Sequence, residues 1–527
     1  MTMSLLVLSL FVSSAVSVPA QANFLQCLSP HFPTNPTASQ LIYSPNTSSY
    51  TSTFQSSIQN LRFLGPTTPK PLFIITPTNA SHIQASVTCS RLHGLNLRVR
   101  SGGHDYEGLS YHSLTTQPFV LIDLSRLRSI AIHLDEGAAW VEAGATLGEV
   151  YYGIAEKSGL HGFPAGLCPT VGVGGHISGG GIGTMMRKYG LAADNIMDAY
   201  LIDANGRLRD RRSMGEDLFW AIRGGGAASF GVVLSWKLRL VPVPPTVTVF
   251  TVYRTLEEGA IKLVERWQYI ANTFDENLFI RVGIQPIGGG ASRSKTAHAL
   301  FNSLFLGTRG ELLQLMEKSF PELGLKPNDC LEMTWIRSVL YFAGYPYGKS
   351  DSVGALLDRN RRKKNFFKGK SEFVEKPISQ FGLEGIWERL SEGEKVFMIL
   401  DPLGGKMNDI SNEEIAFPYR KGYIYNMQYR VNWNAVVETD KCLDWIKRMY
   451  EYLGPYVSTN PRAAFLNYRD LDLGRNGAGN VSYAEALVWG RRYFHGNFLR
   501  LARVKRVVDP TNFFRDEQSV PPFLRGP

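Results

Sequence analysis

The stretch Gly166–Gly183, GLCPTVGVGGHISGGGIG, decides how the rest of the chain is read. It is too rich in glycine for an ordinary helix or strand. Glycine lets the backbone approach a ligand closely and adopt φ > 0. Successive exposed N–H groups form nests for phosphate oxygens. Cys168 sits inside this run, just before a proline. A second small-residue cluster lies upstream, Arg100-Ser101-Gly102-Gly103-His104-Asp105-Tyr106. Neither run has the G-x-G-x-x-G spacing of a Rossmann turn or that of a Walker loop. Two glycine-rich turns, one histidine and one cysteine point to a phosphate-bearing cofactor with two side chains beside it. Two flexible loops are the plainer alternative.

The segments RSGGHDYEGLSY (100–111) and CPTVGVGGHISGGGIGTMMRKYGL (168–191) resemble the two flavin-attachment segments of the berberine bridge enzyme-like family of plant flavoproteins. That family has the vanillyl-alcohol oxidase fold and includes the cannabinoid-acid synthases. The resemblance covers nearly the whole mature chain. It implies a bicovalent FAD, with His104 on the 8-methyl carbon and Cys168 on C6 of the ring. It also marks Arg100, Ser101, Gly102, Gly103, Gly174, Gly175, Ser178, Gly179 and Gly183 as the cofactor's cradle. Two tethers would raise the flavin's potential and fix its ring.

The chain has 527 residues, which suggests more than one domain, since single cores stop growing at about 250–300 residues. The start, MTMSLLVLSLFVSSAVSVPAQA, has an apolar core and an A-x-A site at 20–22, although its first residues carry no Lys or Arg. It reads as a signal peptide over 1–22, too short to span a bilayer comfortably. A secretory protein, extracellular, apoplastic or vacuolar, is expected, with no membrane span. Of five cysteines, four remain once Cys168 is assigned to the flavin. The resemblance pairs Cys27 with Cys89. Cys330 and Cys442 are expected to be free and buried, as cysteine often is. Sequons at Asn46, Asn79 and Asn480 permit glycosylation in this compartment. The formal charge of +10 raises nucleic acid as a partner, but the basic residues are scattered. The run Arg359–Lys370, RNRRKKNFFKGK, reads as a solvated loop, so no nucleic acid is expected.

From Pro71 the pattern alternates short apolar strands with helices, giving an α+β, PCMH-type FAD-binding domain over 23–242. Strands are read at 72–76, 97–100, 119–123, 139–143 and 232–240. Helices are read at 79–92, 147–158 and 216–222. Asn205-Gly206 reads as a type I′ hairpin turn between 200–203 and 207–209. The PVPP of 242–245 marks a boundary. Beyond it, 247–251, 278–285, 297–306 and 423–433 alternate apolar and polar residues, as antiparallel strands do. Helices at 255–274, 310–320 and 441–453 complete a substrate-binding domain over 243–457. The segment 458–527, and KRVVDPTNFF (505–514) in particular, resembles the family's terminal segment that returns to the FAD domain.

Tyr468, in Asn467-Tyr468-Arg469-Asp470, is the first candidate base. A phenol has a pKa near 10 and needs cations or hydrogen bonds to act as a base near neutrality. The resemblance to the cannabinoid-acid synthases and alcohol oxidases gives it that role, and gives Tyr106 a place beside it. A structural tyrosine is the plainer reading. On a strand, 426, 428 and 430 share one face, and this face offers Asn426, Gln428 and Arg430 but no carboxylate. Berberine bridge enzyme has a glutamate on this strand, so closure of a basic alkaloid is put in doubt. Arg430 and Arg281 would suit a phenolate, carboxylate or carbonyl; surface or ion-paired arginines are the alternative. Ile182 and Leu403 replace tyrosine and an aromatic residue of the family's alcohol oxidisers, and make the expected cavity more apolar. Val171 falls at the family's oxygen gate, where a small residue suits an oxidase. His176 follows the glycines, but no metal-ligand spacing is present and no metal is expected.

The leading expectation is a monomeric, FAD-dependent oxidase of a lipophilic, prenylated phenol, with O2 as acceptor and oxidative cyclisation open to the product. A second is a [4+2] cyclase joining a prenylated-phenol diene to an enone, with Arg281 and Arg430 on the enone oxygen. A third is a carbohydrate or alcohol oxidase. A non-enzymatic secreted flavoprotein is disfavoured by His104, Cys168 and Tyr468 together.

Overall fold

The computed structural model describes residues 18–523, apart from 33–39, 116, 289–295, 346–351, 361–363 and 478–480. Asn480 and most of the expected signal peptide therefore lie outside the described residues.

The first domain holds two sheets. One runs Ile42–Tyr43, Phe73–Ile75, Phe119–Asp123, Asn96–Arg100, with the last three parallel. Phe119–Asp123 is buried along its whole length, as expected of a parallel strand covered on both faces. The helix Ala80–Leu92 makes the crossover, and the Asn79 side chain caps it by accepting from His82 N. The other sheet is antiparallel, in the order Ile130–His133, Ala138–Glu142, Val232–Arg239, Ile196–Ile202, Leu208–Arg209. The turn between the last two in sequence is not the expected type I′: Gly206 N donates to Asp203 O, which makes Ala204 and Asn205 the central residues, and Gly206 after them takes φ +73° while Asn205 does not take positive φ. The helix read from Glu216 begins earlier, at Arg211, and carries a kink at Gly215.

Cys27 and Cys89 form the expected disulfide, with Cα atoms 5.8 Å apart. It ties the helix Val18–Leu28, which runs through the expected cleavage site, to Ala80–Leu92. Cys330 is buried, but Cys442 is only half-buried, so one of the two expected buried thiols meets solvent.

Beyond the PVPP stretch lies a seven-stranded antiparallel sheet. Its order is Cys330–Met333, Val247–Arg254, Thr296–Phe305, Leu278–Ile287, Val396–Pro402, Tyr425–Trp433, Phe366–Val374. One face packs Ile280, Met398, Leu400, Met427 and Tyr429 against the helices Ala260–Ile270, Gln380–Glu392 and Thr439–Leu453 through Trp267, Trp387 and Trp445. Each such fully buried apolar side chain contributes about 1.5–3 kcal/mol. The expected helix 255–274 is shorter, because Gly259 takes a left-handed conformation before Ala260.

The basic run needs correction. Its second half is not a solvated loop: Phe366–Val374 is a buried strand, and Lys368 and Lys370 are each 3 % exposed. The alternation of FFKGKSEFV hides this, since its lysines are paired with carboxylates from other segments rather than with water.

After the sheet the chain returns. Helices Tyr483–Phe494 and Asn497–Val508 place Trp489, Phe498 and Leu501 in one core with Phe219 and Trp220 of the first domain. Buried Lys505 explains part of that return. Its ammonium donates to Ser229 O, Phe514 O and Asp509 Oδ2 at 2.6–2.7 Å.

Candidate active site

A cavity of about 500 Å³ lies where the two sheets of the first domain meet the seven-stranded sheet. Its first wall is backbone. The loops 101–104 and 166–175 cross so closely that a Cβ on Gly102 would lie 2.3 Å from Gly172 N. At Gly175 a Cβ would meet nothing within 4 Å, because that position opens toward the cavity. Ser101, Gly102, Gly103, Gly174, Gly175, Ser178 and Gly183 all line it, joined by Gly225 and Gly226. Ser101 itself donates to Ala143 O at 2.6 Å, which locks the loop rather than freeing its hydroxyl.

Two cradle residues point elsewhere. Arg100 is fully buried, pairs with Asp123 at 2.5 Å and donates to Thr53 O and Phe54 O. It therefore anchors the strand behind the loop and does not line the cavity. Gly179 is small for Asn467, whose Oδ1 would lie 1.9 Å from a Cβ there. Asn467 in turn donates to His176 O, so Gly179 seats the C-terminal segment against the glycine loop.

His104 and Cys168 both border the cavity, as does Val171. Thr170 Oγ1 lies 3.0 Å from His104 Nε2. His176 Nε2 accepts from Gly166 N at 3.0 Å. Burial pulls the His176 pKa down to about 4, so the ring is neutral at pH 7. Among the described residues no cluster of three or more His, Cys, Asp or Glu is placed to hold a metal. No described helix is long and apolar enough to cross a membrane.

The opposite wall is the seven-stranded sheet. Alternation on three neighbouring strands brings Phe279 and Arg281, then Phe397, Ile399 and Asp401, then Gln428 and Arg430 to the cavity. Asn426 shares their face by sequence but stays behind, 1 % exposed, donating to Glu372 O. Ile182 lines the cavity as expected. Leu403 does not; it is fully buried and its carbonyl accepts from Arg187.

Asp401 is the residue the sequence reading missed. The expected face lacked a carboxylate because the carboxylate comes from the neighbouring strand, in register with Asn426. It takes Arg281 in a bidentate pair at 2.6–2.8 Å. Arg281 thus reaches the cavity already matched in charge, not as an open anchor. Arg430 places its guanidinium carbon over Phe367, 3.8 Å from the ring centroid, and donates from Nε to Asn432. The motif signal for Asp401 was slight: an acid two residues before Leu403 in a strand with no other charge.

Tyr106 and Tyr468 are brought together as a stack, centroids 5.6 Å apart and planes at 23°. Gln428 donates to the Tyr106 hydroxyl. Tyr468 sits on the short turn Leu466–Tyr468, edge-on to Phe465. Burial pushes its pKa well above the ordinary phenol value; Asp401 and Tyr106 add to this, and Arg281 opposes it. The phenol form is therefore favoured at rest, with Arg281 the one charged neighbour that acts against it.

The glycine cradle, the backbone nests and a cavity of this size suit a dinucleotide. Residues 71–211 match the family model for an FAD binding domain, and 464–521 match that for berberine and berberine-like proteins. The chain is 51 % identical over 526 residues to a tetrahydroberberine oxidase of Berberis wilsoniae, covering 99 % of this chain and 98 % of that one. It is 49 % identical to a monolignol oxidoreductase of Arabidopsis thaliana, covering 98 % and 97 %. Among solved structures, the grass pollen allergen Phl p 4, with glucose dehydrogenase activity, superposes with a TM-score of 0.90 at 44 % identity, covering 95 % of this chain and all of that one. A variant of that allergen with valine in place of one isoleucine is a glucose oxidase. Bilobal architecture, cradle and sequence agree: this chain is an FAD-dependent oxidoreductase and belongs to the berberine bridge enzyme-like family.

Proposed function

We propose that the protein is a secreted oxidase of a lipophilic aromatic substrate bearing a phenolic hydroxyl, with FAD tethered through His104 and Cys168. The observation that carries this reading is the Tyr106–Tyr468 stack, held by Gln428 within a cavity walled by Phe279, Phe367, Phe397 and Ile399. When bound, FAD supplies the hydride acceptor and passes the electrons on to O2. The aromatic wall excludes water and orients a flat ring. Gln428 fixes the Tyr106 hydroxyl to receive the substrate's oxygen. Tyr468 Oη takes the proton that leaves with substrate oxidation. Thr170 engages His104 at Nε2, which is compatible with attachment at Nδ1. Val171 at the cavity is consistent with an open oxygen path.

The cycloaddition reading has less support, since Asp401 neutralises Arg281 and only Arg430 suits an enone oxygen. The disulfide and the N-terminal apolar stretch support the secretory pathway. Asn46 and Asn79 are exposed and accessible to a glycan.

The test is anaerobic flavin reduction followed by product mass. Coniferyl alcohol is expected to reduce the flavin, lose two hydrogens and yield one peroxide per turnover in air. Reduction by glucose but not by coniferyl alcohol would overturn the phenolic reading. Product formation by addition of two substrates without peroxide would overturn the oxidase.

A further inference from the structure

Three segments far apart in sequence meet behind the tyrosine pair. Glu107 follows Tyr106, Asp470 lies two residues after Tyr468, and Lys368 sits on the strand Phe366–Val374. The Lys368 ammonium pairs with Glu107 Oε1, with Asp470 Oδ1 at 2.6 Å and with Asp472 at 3.3 Å. Lys370 takes the other oxygen of Asp470 and Asp472, each at 2.6 Å. Lys368, Glu107 and Asp470 are each at most 4 % exposed. Between the two lysines lies Gly369, whose Cβ would fall 2.9 Å from Tyr106 Cε2. The Tyr106 ring therefore rests on backbone flanked by both clamps. Asn60 adds a neutral tie, donating to both Tyr106 O and Phe367 O.

Resting on the proposed role of the two tyrosines, we propose that Lys368 is a positioning residue: by bridging Glu107 and Asp470 it holds Tyr106 and Tyr468 in stacking register. The physical reason is that neither tyrosine loop has a strand or long helix of its own. Tyr106 lies in a turn and Tyr468 on a three-residue one. Their relative placement falls to what joins their neighbours. Burial works against the Lys368 charge, but Glu107 and Asp470 outweigh it and keep the ammonium charged. Removing Lys368 leaves the buried carboxylates short of the one cation that bridges them. Glu107 and Asp470 would then repel, and each carries a tyrosine loop with it. Arg62, 3.5 Å from Glu107, and Lys370, 2.6 Å from Asp470, offset that only in part, because neither spans the two loops.

The experiment uses the flavin-loaded full chain. In Lys368→Met, amide hydrogen exchange in 104–108 and 466–472 is expected to speed up, with other segments unchanged. The limiting rate of flavin reduction by coniferyl alcohol should fall about 10²-fold, the cost typical of a 1 Å misplacement, while its binding constant stays within a few-fold. Lys368→Met/Glu107→Gln removes the buried imbalance, so thermal stability should return while the rate does not. In a Tyr468→Phe background, Lys368→Met should cost little more, because both act through one group. The clamp is overturned by wild-type exchange in both segments, by a rate that recovers together with stability in the double variant, or by additive losses with Tyr468→Phe. If Tyr468→Phe alone keeps the wild-type rate, or coniferyl alcohol reduces nothing, the functional reading falls, and the exchange measurement alone decides the clamp.

Discussion

On one side of the cavity the chain meets its ligand with backbone, at Gly102, Gly172 and Gly175; on the other it uses side chains from four strands. The backbone wall carries no charge of its own and tolerates no added atom at its crossing. The sheet wall tolerates bulk, yet holds Arg281, Asp401 and Arg430, and its charge depends on which strand lies beside which. A cofactor common to a family can be held by a contiguous motif. Substrate preference, assembled across strands, can change one side chain at a time.

The steepest break in that contrast is steric. Gly102→Ala puts a Cβ 2.3 Å from Gly172 N, against backbone on a packed loop that has no room to retreat. The purified protein is expected to carry essentially no flavin, read as visible absorbance per chain. Ile399→Ala, on the sheet wall, should load normally. Equal loading of the two variants would show that the walls do not differ in the way described.

Next comes the proton acceptor. Tyr468→Phe keeps the stack on Tyr106 but removes Oη, and lost general-base help is worth about 10²–10⁴-fold in rate. The measurement is the limiting rate of anaerobic reduction by coniferyl alcohol, and a rate within a few-fold of wild type would remove Tyr468 from the chemistry.

The proposed tethers give a smaller effect. Cys168→Ala should leave flavin that survives acid precipitation through His104 alone, and the pair of substitutions at both positions should release it. Full release from Cys168→Ala would sink attachment at His104.

The same contrast explains what could be read from the sequence. Both flavin loops, the disulfide and the strands 119–123 and 247–251 were legible, because each is coded by neighbours in sequence or by clear alternation. Arg100 misled because its motif is contiguous while its partner, Asp123, lies on another strand. FFKGKSEFV misled for a related reason: lysines at 368 and 370 signal solvent unless Glu107, Asp470 and Asp472 are known to converge on them. Asp401 was invisible as a partner for Arg281, since only strand order brings the two together. Leu403 was assigned to the cavity on its motif position, although the chain turns it inward.

The subtlest expectation concerns pH. Burial comes first among the causes that raise the Tyr468 pKa, Asp401 second and Tyr106 third, with Cys168 adding slightly and Arg281 opposing. A raised phenol pKa means that the proton-accepting form is scarce at neutrality and accumulates as pH rises. The limiting rate of reduction should therefore climb with pH on a one-proton slope, without a plateau below the ordinary phenol value near 10. Asp401→Asn removes the carboxylate that raises the phenol and leaves Arg281, which lowers it, without its partner. Both changes act in one direction, so the climb should move to lower pH and the rate at pH 7 should increase. Arg281 is 17 % exposed at the cavity, so water can take up part of the lost pairing and the fold should persist. Arg281→Met makes the opposite change and should move the climb to higher pH. Parallel profiles for all three proteins would mean that Tyr468 does not feel the ion pair, and the sheet wall would then act on substrate alone.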